Sequence, residues 1–135
     1  MPSVDVAIVG GGPAGSLLAT PHAVPGASTL LVARDTFPRD KLCGEFLSYD
    51  ALPLLDDAVL SAVDQIGAPR IERVRILGRT HTLAFALPSA ARGVSRLFLD
   101  DLLLQQARTA GATVLEGTTA ADLEPRGDRT RLAIE

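Results

Sequence analysis

The sequence predicts an α/β fold, a parallel sheet covered by helices in three layers, with an antiparallel hairpin inserted. Three observations predict it. An apolar run of strand length over residues 4–9 meets a glycine cluster, and helical sequence follows. Two more strand-like runs, 28–33 and 112–116, each follow helical sequence, as crossovers between parallel strands require. Between them, 71–77 and 81–87 alternate as two strands joined through Gly78, an antiparallel hairpin.

The bulk properties fit one ordinary domain. The chain has 135 residues and is 47% hydrophobic, enough to bury a core. A net charge of −3 excludes the basic footprint of a nucleic-acid binder, so an anionic ligand must be met locally. Cys43 is the sole cysteine, which rules out a disulfide within the chain and points to a reducing compartment, the cytoplasm. No basic segment precedes the first apolar run and glycines end it early, so neither a signal peptide nor a spanning helix is expected.

Each element has a local cause. Residues 4–9 are short, β-branched and bounded by glycine, as a buried parallel strand should be. Gly10, Gly12 and Gly15 stand in the spacing G-x-G-x-x-G. Gly10 permits the tight turn out of the strand, Gly12 lets backbone come close to a pyrophosphate, and Gly15 lets the helix pack on the strand. Pro13 suits a first helical turn, having no N–H to lose. The helix begins over 13–20 with Ala14, Leu17 and Leu18 on one face. Pro21 then removes a hydrogen bond to Leu17, and Pro25 and Gly26 follow, so the helix should end or kink near Thr20.

Residues 28–33 form the second parallel strand, and 34–45 a polar loop containing Pro38. Short helical pieces occupy 48–64 around Pro53, and Gly67-Ala68-Pro69 breaks the chain. After the hairpin, Ser95 serves as N-cap of a helix with Asp100 and Asp101 in its early turns. Leu99, Leu103, Ala107 and Ala110 share a face, and Gly111 ends the helix. The third parallel strand is 112–116. Two further strands, 118–124 and 129–134, flank the turn Arg126-Gly127-Asp128. The adjacent carboxylates Asp56-Asp57 and Asp100-Asp101 read as solvated faces, since neighbours on a helix do not face each other. His22 and His81 have no metal-ligand spacing, and no metal is expected.

Three segments carry a family resemblance: 5–15 with the glycine motif, 34–45 (Arg-Asp-Thr-Phe-Pro-Arg-Asp-Lys-Leu-Cys-Gly-Glu), and 93–103 followed by 110–114. With them the chain resembles the N-terminal part of FAD-dependent oxidoreductases of the aromatic-hydroxylase and geranylgeranyl-reductase type. The resemblance implies a Rossmann-like FAD/NAD(P)-binding fold over 1–135, with the hairpin at about 70–90 belonging to an incomplete substrate domain. It implies that Gly10, Gly12, Pro13, Ala14 and Gly15 surround the FAD pyrophosphate. Arg34 would follow the second strand, Lys41, Cys43 and Gly44 would pass near the ribityl chain and flavin, and Arg96 would reach the cofactor from the start of its helix. It also implies a small-molecule substrate, a lipid or an aromatic compound, and NAD(P)H as electron donor.

Residue chemistry agrees in part. Lys41 and Arg96 can add charge to a helix terminus that binds pyrophosphate. An arginine at a helix start is favoured when an anion offsets it. Gly44 permits backbone to approach a flat ring. Cys43 reads as a small residue near the cofactor, because no histidine partner is identifiable to activate it.

The chain also departs from the pattern. The acid expected at position 33, which accepts ribose hydroxyls, is replaced by Ala33, with Asp35 two residues further on. Enzymes of the family continue well past this point, so the chain is expected to be an N-terminal fragment or a truncated homologue, with a second polypeptide as one way of completing the fold. Two other readings fit the same residues. A small residue at 33 followed by Arg34 suits an NADP-binding module. The lost acid and the prolines suit a non-catalytic remnant or interaction domain.

Overall fold

The computed structural model describes residues 3–22 and 25–135. In chain order the elements are β1 (Val6–Val9), α1 (Pro13–His22), β2 (Thr29–Val32), β3 (Phe46–Leu47), α2 (Asp57–Gln65), β4 (Arg70–Leu77), β5 (Thr82–Gly93), α3 (Arg96–Thr109), β6 (Thr113–Leu115), β7 (Ala120–Arg126) and β8 (Arg129–Ile134). A single 3-10 turn spans Leu52–Leu54. The chain divides into two units: residues up to Lys41 together with Leu97–Glu135, and Leu42–Arg96.

The first unit holds the parallel sheet, in the order β1-β2-β6. Val6 pairs with Thr29 and Val9 with Val32, while Leu30 pairs with Thr113 and Val32 with Leu115. The central strand β2 is apolar at successive positions because both of its faces are covered. Ile8, Leu31, Ala33 and Ala112 meet Ala19 of α1 and Leu104 and Ala107 of α3 in one buried cluster. Leu99 and Leu103 are buried as the helical spacing requires, and Ala110 packs at the cluster's edge. β7 and β8 form an antiparallel hairpin whose turn uses Gly127 at a φ of 66°.

α1 ends at His22, close to Thr20 as the prolines require, with Pro21 still inside it. Pro21 stands in the last turn, where one lost N–H bond falls at a fraying end instead of mid-helix. The His22 side chain lies outside the described residues. Asp100 is not on a solvated face: its side chain is fully buried. It lies between Leu103 and Leu104 around the helix, and so falls within the apolar stripe. Asp101 is half-buried and accepts a bond from Gln105 Nε2. Asp56 is exposed, and its carboxylate caps α2 by accepting from Val59 N–H at 2.8 Å.

Asp5 fastens the entrance of β1 to that of β2. Its Oδ2 accepts from Ser28 N–H at 2.7 Å and from Ser28 Oγ at 2.8 Å. These bonds, the backbone one first, hold the Asp5 carboxyl below the usual aspartate range. A depressed folded-state pKa gives stability that is present above the unfolded value of about 3.9 and is lost as pH falls through the folded value. Asp5→Asn is expected to flatten the acid limb of the stability profile below about pH 4, read by denaturant unfolding across pH. An unchanged acid limb would show that this carboxylate does not couple to folding.

The second unit holds the antiparallel sheet β3-β5-β4 and α2. β4 and β5 form the expected hairpin, with Val74 opposite Phe85 and Ile76 opposite Leu83. β5 runs on past 87 to Gly93. Arg73 pairs with Ala86 but Ile71 with Ala91, so Leu87–Ala90 bulge out around Pro88, which has no N–H for the ladder.

Candidate functional site: a glycine turn and the loop beside it

The turn between β1 and α1 is built from glycines with separate tasks. Gly10 adopts a φ of 115°, and its N–H donates to Val32 O at 2.8 Å, tying the turn to β2. A Cβ on Gly15 would overlap the Gly10 carbonyl oxygen, so the helix can approach the turn this closely only with glycine there. Gly12 O accepts from Ser16 N–H at 3.0 Å and opens α1, whose first turn carries no acidic residue. Free N–H groups and the positive end of the helix dipole therefore suit an anion. Gly11 is buried; a Cβ there would come within 2.8 Å of the Ala33 Cβ and 3.0 Å of the Phe37 ring.

A cavity of about 300 Å³ lies at the carboxyl ends of β1 and β2 and is lined on another side by Thr118–Ala120. Gly10, Gly12, Arg34 and Lys41, all named from the sequence, line it. Pro13, Ala14 and Gly15 instead form the first residues of α1. Cys43, Gly44 and Arg96 belong to the second unit. Cys43 and Gly44 are exposed there, and Arg96 is the half-buried first residue of α3.

Ala33, the position that lacks its acid, is among the residues lining the cavity, and at 2% exposure it also belongs to the buried cluster. Asp35 also lines the cavity, but its carboxylate is engaged: Arg39 Nε stands 2.9 Å away and Arg34 Nε 3.6 Å. Phe37, Arg39 and Thr118 were not singled out by sequence reasoning. Phe37 N–H donates to Glu116 Oε1 at 2.8 Å, and the other oxygen of Glu116 receives Arg108 Nη2 at 2.8 Å. Thr118 N–H donates to Ala33 O at 3.0 Å. Residues 35, 37 and 39 turn inward in alternation, but the sequence of 34–40 carries no matching polar–apolar alternation that could have shown it.

A strand, a G-x-G-x-x-G turn and a helix, opening on a cavity at the carboxyl ends of a parallel sheet, define a dinucleotide-binding α/β protein. No protein-family model matches the chain. It is 36% identical to the menaquinone reductase of Mycobacterium tuberculosis, over 98% of this chain and 33% of that protein. Its fold matches a flavoprotein/dehydrogenase from Cytophaga hutchinsonii with a TM-score of 0.81 at 25% identity, covering 98% of this chain and 35% of the other. The flavin-dependent brominase Bmp2 matches with a TM-score of 0.82 at 25% identity, over 98% and 34%. Over almost its whole length the chain matches part of flavoprotein oxidoreductases, and it corresponds to the FAD-binding portion of a flavin-dependent enzyme. It spans about a third of the length of the curated relatives it matches. Among the described residues, no helix is long and apolar enough to cross a membrane.

Proposed function

We propose that the first unit holds the ADP half of FAD in the cavity beside the glycine turn. The observation that carries this reading is the contact of Gly15 with the Gly10 carbonyl, which leaves the open end of α1 beside a cavity lined by Gly10, Gly11 and Gly12. These residues fit a pyrophosphate: backbone can come close, N–H donors are free, and Arg34 and Lys41 add positive charge. When bound, the flavin supplies hydride transfer or oxygen activation. This chain's residues bind and orient its nucleotide end. Cofactor contacts by Cys43, Gly44 and Arg96 rest on the family resemblance.

The same proposal covers the whole enzyme: an oxidoreductase or monooxygenase acting on a small molecule, a lipid or an aromatic compound, with NAD(P)H as donor. It includes a cytoplasmic setting, supported by the sole cysteine.

A second reading, NADP binding, is favoured by one observation. Ala33 lines the cavity and is followed by Arg34, whose side chain is 77% exposed and paired with the half-exposed Asp35 at 3.6 Å, an arrangement that suits a 2′-phosphate. Ala33→Glu separates the two readings. A carboxylate reaching into the cavity from this position can accept both ribose hydroxyls and should strengthen FAD binding by about 1–3 kcal/mol. It should weaken NADP, whose 2′-phosphate it would repel, and Arg34→Ala should hurt NADP more than FAD. Isothermal titration of each variant with both ligands is the test. Equal affinities before and after Ala33→Glu would show that position 33 does not meet a ribose.

A further inference from the structure

Arg39, which lines the cavity, pairs with the buried Asp100 of α3 in the first unit. Along 34–40 exposure alternates: residues 35, 37 and 39 turn inward, whereas 34, 36, 38 and 40 are exposed. Arg39 is only 17% exposed at its side chain, and its Nη2 stands 3.8 Å from the fully buried Asp100 of α3. Its guanidinium lies over the Phe37 ring, 5.0 Å from the centroid. The Phe37 ring in turn stands directly behind Gly11 of the phosphate-binding turn. Arg39 Nε is buried and approaches Asp35 Oδ2 at 2.9 Å, yet makes no hydrogen bond, so the pair is ionic and imperfectly aligned.

Burying a carboxylate and a guanidinium costs desolvation energy that a pair at this separation does not recover well. Such an arrangement adds little stability compared with apolar residues, but it does fix geometry. We propose that Arg39 is a positioning residue for the cofactor site. Anchored on Asp100 and Asp35, it holds the 34–41 loop so that Arg34 and Lys41 line the cavity, and it keeps the Phe37 ring behind the glycine turn. This rests on the reading of the cavity as an FAD site.

The test uses the full chain with Arg39→Gln, Asp100→Asn and the double variant. FAD affinity is read by flavin fluorescence, and loop order by amide hydrogen exchange without FAD. Asp100 lies outside the cavity lining, with its Oδ2 3.8 Å from Arg39 Nη2. Each single variant should weaken FAD by about tenfold or more, and the double variant by no more than the worse single. Exchange should quicken across 34–41, including the Phe37 N–H, while Leu30–Val32 keep their protection. Wild-type affinity in both single variants would overturn the inference. Weaker FAD binding without faster loop exchange would also overturn it, because Arg39 would then touch the ligand itself. If Asp100→Asn does not fold, Arg39→Gln with exchange and affinity together decides the matter. If wild type binds no FAD, the cofactor reading fails and this inference falls with it. If wild type binds and the variants bind equally, the inference alone falls.

Discussion

Gly15→Ala is expected to unfold the turn between β1 and α1 and to remove FAD binding with it. A Cβ at this position would overlap the carbonyl oxygen of Gly10, a backbone atom that cannot rotate away. Gly10 is itself held, by its φ of 115° and by its N–H bond to Val32 O. The clash must move α1 outward, away from a cluster in which Ala19 and Ile8 are buried together. The cost should be about 1–3 kcal/mol, the range for overpacking a well-filled interior. Denaturant unfolding of the variant reads it directly. A variant as stable as wild type would show that helix and turn are not in the contact described.

Gly12→Val should have the opposite profile, with stability near that of wild type and FAD binding lost. Gly12 is not among the positive-φ glycines of the described residues. A residue before proline prefers extended backbone, which valine accepts. Its side chain would instead enter the space at the mouth of α1 that a pyrophosphate needs. Losing the backbone donors and the close approach there should weaken FAD by roughly a hundredfold or more. Titration of folded Gly12→Val measures it, with circular dichroism confirming the fold. Unchanged affinity would place the dinucleotide elsewhere. Together the two glycines separate what builds the turn from what leaves room for the ligand.

The strand–turn–helix at 4–20 and the parallel strands were legible because their signals are local. Apolar runs, glycine spacing and a C′ glycine at 111 each act within a few residues of where they are read. The hairpin followed from alternation, but its extension to Gly93 did not, because the bulge at 87–90 depends on pairing with Ile71 and Arg73. Asp100 was misplaced for the same kind of reason. Its residue type argues for solvent, while the apolar stripe of α3 and the approach of Arg39, distant in sequence, put it inside. In the site, the glycines and the cations Arg34 and Lys41 were readable from chemistry and motif. Phe37 and Arg39 were not, since their roles arise from a loop folding back on the glycine turn, and no periodicity announces that.

The central claim, that the first unit binds the nucleotide end of FAD, is tested most directly by competition. FAD bound to the purified chain is titrated with ADP and, separately, with FMN, and flavin fluorescence follows release. The account predicts that ADP displaces FAD and FMN does not. Displacement by FMN with indifference to ADP, or no binding of FAD at all, would contradict it.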